Sequence, residues 1–226
     1  MNDMSLIAIL AIASLLPFLV AAGTCYIKFS IVFVLLRNAL GLQQVPSNMV
    51  LNSIALMLSM FVMQPVMQDT YNHYVSSHAT LNSVSSVKNF IETGLNSYKD
   101  YLRKYSDSDL TQFFEKAQKS RIEDLGPANK NSYFSAKDDQ DDASLFSLLP
   151  AYALSEIKDA FKIGFYLYLP FVVIDLVVSS ILLALGMMMM SPVTISVPIK
   201  LILFVAMDGW TMLSKGLVMQ YLDLAH

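Results

Sequence analysis

The chain has 226 residues, 55% of them hydrophobic and only 15% charged, with a formal net charge of −3 and a mean hydropathy of +0.51. A soluble domain carries about 25% charged residues, so the composition excludes an ordinary soluble globule. The negative balance, with no basic stripe, excludes a nucleic-acid surface. The single cysteine, Cys25, excludes a disulfide framework within the chain and reads as a small buried hydrophobe.

Charge is unevenly spread. Residues 1–68 hold only Asp3, Lys28 and Arg37, residues 69–143 hold nine Lys/Arg and twelve Asp/Glu, and residues 144–226 are again sparse. Two apolar blocks, 1–68 and 144–226, therefore flank a polar insert, 69–143. That is the pattern of an all-α membrane protein with an extracytoplasmic domain.

The first run, Leu6 to Ala22, is about 25 Å of helix. The residues before it carry Asp3 and no Lys or Arg, and "VAAG" is a poor cleavage context, so it reads as a retained hydrophobic helix and not as a cleaved leader. Residues 26–42 form a second helix, and "QQVPSN" is a turn in which Ser47 or Asn48 caps the next helix. That helix runs from about Met49 to Met67, with Pro65 marking its end or a kink. Lys28 and Arg37 favour a cytoplasmic side for their connection, which turns the insert toward the periplasm.

In the insert, Val84, Val87, Ile91, Leu95, Tyr98, Leu102 and Tyr105 recur every three or four positions, as on an amphipathic helix. Ser106 and Asp109 fit a capping pattern before a second helix, "LTQFFEKAQ". The linker that follows carries Asp138, Asp139, Asp141 and Asp142, which lack the spacing of a calcium loop and read as a solvated charge run. From Ile163 to Met190 there is one ionisable group, Asp175. As straight helix that stretch is about 42 Å, longer than a hydrocarbon core of about 30 Å. Pro170 is expected to bend it, or part of it lies outside the bilayer. A return helix from Ile199 carries Lys200, Asp208 and Lys215, too many charges for a helix facing lipid on all sides.

A charge in an apolar block costs several kcal/mol unless it is paired or wet. For a hairpin turning near Pro192, Asp175 falls about one helical turn from Lys215, which makes them the expected pair. Lys200 falls level with Met187 without a carboxylate, so its partner is expected on a neighbouring subunit, as is that of Glu156. Lys162 is met by Asp159 at i,i+3. These pairs serve either register alone or transport; the residues leave both open.

Met187, Met188, Met189 and Met190 stand in a row between Gly186 and Pro192. At about 100° per residue four neighbours point nearly all round a helix, so they cannot form one core stripe. At a hairpin tip repeated around an axis they would line a narrow collar of flexible thioethers that adapts to whatever passes. The plain alternative is filler at a helix end.

The stretches "PAYALSEIKDAFKIGF" (150–165) and "PIKLILFVAMDGW" (198–210), with "TCYIKFSIVFVLLRNALGLQQVPSN" (24–48), resemble the FliP/SctR family, core subunits of the type III secretion export apparatus. The resemblance covers both apolar blocks and leaves the insert without a recognisable pattern. It implies a helical ring of five copies at the base of the needle complex in the bacterial inner membrane. It also implies two smaller membrane subunits (S-type and T-type), the inner rod and needle base, and secreted polypeptides in transit as partners. The methionine turn then matches a gasket around the export channel. "MSPVTISVP" stands where flagellar members tend to have a double proline, which favours the injectisome branch.

Two other classes make different demands on the sequence. A small-solute or ion transporter calls for mid-depth ionisable groups and two broken helices, and Pro170 with Asp175 has no second counterpart. An intramembrane enzyme calls for a catalytic constellation. The apolar blocks hold none, and His73, His78 and His226 lie outside them. No catalytic residue, metal ligand or cofactor is expected.

Overall fold

A computed structural model describes residues 10, 14, 17–76, 96–124, 144–187 and 189–222. The described residues contain no strand. After a helical stretch at Pro17–Gly23 come α1 (Tyr26–Ala39), α2 (Asn48–Ser76), α3 (Asn96–Tyr105), α4 (Ser108–Asp124), α5 (Leu145–Ala184), α6 (Pro192–Ala206) and α7 (Gly209–Leu222). Among the described residues two helices, Asn48–Asn72 within α2 and α5, are long and apolar enough to cross a membrane. The number rises to four if each of two bent helix pairs, Pro17–Gly23 with α1 and α6 with α7, is one span.

Packing divides the chain into two compact units, Met1–Thr24 with Met63–Glu156 and Cys25–Val62 with Ile157–His226. In the first, tyrosines form the centre. The Tyr101 and Tyr152 hydroxyls meet at 2.7 Å and their rings at 5.5 Å, and the Tyr98 hydroxyl donates to the Gly23 carbonyl at 2.9 Å. A Cβ on Gly23 would overlap that hydroxyl, so a glycine is required beneath it. Leu102, Leu148 and Ala151 close the core, and Glu156 is fully buried.

In the second unit, α1 buries Phe29, Val32, Phe33 and Leu36, and Leu40 at its cap continues the three-and-four spacing of a helix seam. Phe29 meets Tyr221 edge-on at 5.7 Å, Phe33 meets Trp210 at 6.2 Å, and Phe204 lies between Phe171 and Trp210. On α5, Gly164 admits the Leu35 side chain, where a Cβ would collide.

Several expectations are corrected. Pro65 does not end its helix, since α2 continues to Ser76, which excludes the first of the two expectations there. A proline removes one N–H bond, and a 29-residue helix retains the bonds on either side. Pro170 lies inside a continuous 40-residue α5, so the helix runs through it. That helix is about 60 Å long, so about half of it exceeds a bilayer core. The cap of α4 is Asp107, whose carboxylate accepts from the Asp109 N–H at 3.0 Å and whose carbonyl accepts from the Thr111 N–H at 3.0 Å. Ser106 instead donates to the Leu102 carbonyl at 2.7 Å, one turn back. Most of the first apolar run, the amphipathic pattern before residue 96, and the aspartate-rich linker lie outside the described residues.

Burial pushes the Tyr98 phenol from 10.0 up to about 12. The folded state therefore keeps the neutral phenol while the unfolded chain ionises near 10, and the stability Tyr98 contributes is present below pH 10 and lost as pH rises toward 12. Tyr98→Phe should lower stability at pH 8 by about 1 kcal/mol through the lost hydrogen bond. The gap to the parent should narrow at pH 11, measured as denaturant midpoints of detergent-solubilised protein at both pH values.

Candidate functional site

The methionine stretch is a turn closed by a glycine. Gly186 has φ +71, a conformation glycine adopts at no steric cost. Its N–H bonds the Leu183 carbonyl at 3.1 Å and the Met187 N–H bonds the Leu182 carbonyl at 3.0 Å. This paired arrangement satisfies the last carbonyls of α5 and stops the helix. The Met190 N–H then returns to the Met187 carbonyl at 3.2 Å, Ser191 is extended, and Pro192 opens α6 at a first-turn position where its missing N–H costs nothing. Met187, Met189 and Met190 are exposed, Met189 completely, whereas Met188 lies outside the described residues. In this way Met187, Met189 and Met190 avoid the helix that would scatter them.

Below the turn, α5 and α6 run antiparallel in a fixed register. Asp175 Oδ2 meets Lys200 Nζ at 2.6 Å and the Phe171 and Phe204 rings meet at 6.5 Å. Asp175 lies twelve positions before Met187 and Lys200 twelve after Met188, and Phe171 and Phe204 lie sixteen on either side. Both pairs are thus symmetric about the Met187–Met188 step, at the start of the methionines. The expected Asp175–Lys215 pair placed the bend at Pro192. The bend is at Gly186, and the shorter turn moves the partner of Asp175 from the level of Lys215 to Lys200. Lys200 therefore finds its carboxylate within its own chain. Lys215 is exposed and forms no ion pair among the described residues.

Lys200 is the buried member of the pair, 4% exposed, with Asp175 half-exposed beside it. Its ammonium also donates to the Ala39 carbonyl at 3.3 Å, one of the carbonyls left over at the end of α1, where a cation is favoured. One side chain thereby ties three helices. Lys28 is a second buried cation. It meets Asp159 at 3.5 Å and lies over the Tyr221 ring at 4.9 Å, so the carboxylate expected for Lys162 serves Lys28 instead. Glu156, expected in an ion pair, is fully buried in the first unit.

The return segment is broken where one helix was expected. Asp208 adopts φ +50, α6 and α7 meet at 60°, and Asp208 accepts from the Thr211 hydroxyl at 2.9 Å. Gly209 lies under the Phe204 ring, where a Cβ would collide. The Asp-Gly dipeptide, a turn signal in any context, is the feature that sequence reading passed over. The bend opens an apolar cavity of about 400 Å³ lined by Phe171, Leu203, Met207, Met212, Gly216 and neighbours. Among the described residues no cluster of His, Cys, Asp and Glu is arranged to hold a metal ion.

Long apolar helices, buried cations matched inside the chain and a glycine-closed hairpin define a helical membrane protein. The chain matches the model of the FliP family over residues 9–217 and belongs to that family. It is 64% identical over 226 residues to the Surface presentation of antigens protein SpaP of Salmonella typhi, covering 99% of both chains. It is 61% identical to SpaP of Shigella flexneri, covering 99% of both, and 44% identical to the Yop proteins translocation protein R of Yersinia pestis, covering 97% of both. The chain is a membrane subunit of the type III secretion export apparatus, of the injectisome kind, and is not an enzyme.

Asp175→Asn should lower the thermal midpoint in detergent, at a cost of about 1–3 kcal/mol for a buried ammonium that has lost its carboxylate. Lys215→Gln should stay within about 0.5 kcal/mol of the parent. The reverse order would return the register to Pro192. Gly209→Ala should destabilise by about 1–3 kcal/mol, the usual cost of overpacking, as the methyl displaces Phe204; the same scan detects it.

Proposed function

We propose that copies of this chain, five by the family resemblance, surround a passage through which unfolded polypeptides cross the bacterial inner membrane, with the methionine turn as its gasket. The observation that carries this reading is the hairpin apex. Met187, Met189 and Met190 are exposed at the tip of two helices whose register is held by the ion pair of a buried lysine. Unbranched, polarisable thioethers fill an irregular gap around a moving chain and close on one another when it has gone. A stiff base beneath them keeps the tips at one level, which a seal requires. In the proposed assembly the 69–143 insert faces the periplasm, and the S-type and T-type membrane subunits, the inner rod and the needle base are the neighbours.

Replacing Met187 to Met190 with alanine in the assembled apparatus should leave subunit association intact. Passive leakage of small ions through idle complexes should rise at least several-fold, as a ring of long side chains is cut back to methyl groups. The measurement is ion flux across vesicles carrying the complex. Leakage equal to the parent would reduce the methionines to filler.

A further inference from the structure

A second loop points to the same end of the second unit as the methionine turn. α1 runs antiparallel to α6 and α7. Phe33 meets Trp210 at 6.2 Å, the Ala39 carbonyl accepts from Lys200 at 3.3 Å, and a Cβ on Gly41 would stand 2.6 Å from Cγ2 of Val197. Each step toward the end of α1 is therefore a step back along α6 toward Met190. Val197 is six residues, under two helical turns, beyond Ser191.

The loop is held at both ends. Gly41, with φ +79, ends α1 by the same paired bonds that Gly186 uses, Gly41 N–H to Asn38 at 3.0 Å and Leu42 N–H to Arg37 at 3.2 Å. Arg37 Nη1 donates to the Pro46 carbonyl at 3.2 Å, and Ser47 Oγ accepts from the Val50 N–H at 3.4 Å. Between these anchors Gln43, Gln44 and Val45 are exposed. Among the described residues neither glutamine side chain has a hydrogen-bond partner. Two free carboxamides on a pinned loop in an apolar block have nothing to serve within the chain.

We propose that Gln43 and Gln44 are a second contact for the polypeptide in transit, beside the methionine turn and dependent on the gate reading above. A carboxamide both donates and accepts, as a peptide group does, so it meets main-chain N–H and C=O groups of any sequence. The methionines receive side chains by dispersion, and the glutamines receive the backbone. The two loops divide one extended chain between them.

The test uses the assembled apparatus with an exported polypeptide stalled by a fused, tightly folded domain and carrying one cysteine in the arrested segment. Cys25, fully buried, stays in place. Crosslinking to Gln44→Cys should come within about two-fold of Met189→Cys and exceed by about ten-fold that of Met57→Cys, which is exposed on α2. Crosslinking at Met189→Cys without Gln44→Cys overturns this inference and leaves the gate reading standing. Absence at both overturns the gate reading as well, and equal yield at Met57→Cys overturns the assignment of Gln44. As an independent measure, the Gln43→Leu/Gln44→Leu pair should slow secretion several-fold, with rescue by Gln43→Asn/Gln44→Asn. Parent-rate secretion by the leucine pair would overturn the role of the amides.

Discussion

A buried ammonium in an apolar block dictates much of what surrounds it. Lys200 lies deep among α1, α5 and α6, where a lone charge would cost several kcal/mol. Two oxygens meet it, a carboxylate from α5 at 2.6 Å and a terminal carbonyl from α1 at 3.3 Å. Neither contact survives a shift of one helical turn, about 5.4 Å. The pair therefore sets the hairpin's register more sharply than its apolar faces do, since those would accept several offsets. From that register follows the position of the turn, and from the turn the exposure of the methionines. Whether such a pair adds net stability over an apolar equivalent is a separate matter, because desolvation offsets much of its attraction. Its contribution here is specificity of alignment.

The second constraint is which residues end helices. Pro65, Pro150, Pro170 and Pro198 all lie within helices, whereas Gly41, Gly186 and the Asp208–Gly209 step end or break them. A proline forfeits one hydrogen bond and leaves its neighbours intact, a loss that apolar helices tolerate where packing holds both sides. A glycine in the left-handed conformation does more, since it supplies the last carbonyls with new donors and redirects the chain. Helix ends in this protein are thus chosen by where the leftover carbonyls are satisfied. Pro192, read from sequence as the bend, merely starts the helix that follows it.

This explains what was legible in the sequence and what was not. The all-helical class, the apolar blocks and the turn between Gly186 and Pro192 were readable, because composition and local turn chemistry decide them. The family was readable from two long motifs. The partner of Asp175 was not, since an error of a few residues in the turn's centre moves the opposite residue by twice as many. The elbow at Asp208 was hidden because its cause, the Phe204 ring over Gly209, is a contact that only the fold creates. Lys28 shows the same limit. Its partners, Asp159 and Tyr221, lie 131 and 193 positions away, beyond any periodicity.

The contrast between the tip of the hairpin and its base bears on the proposed gate. A seal around a polypeptide of varying shape needs side chains that rearrange quickly, and a backbone that does not follow them. Leucine at the tip would meet the first need poorly, because branching restricts its rotamers, while methionine retains three rotatable bonds. The backbone is constrained separately, by the paired bonds at Gly186, the Met187–Met190 return and the ion pair twelve residues below on each strand. Compliance is confined to the side chains. Placing the charge pair nearer the tip would stiffen the wrong part, and leaving it out would let the helices slide, so that the tips of neighbouring copies no longer met at one level.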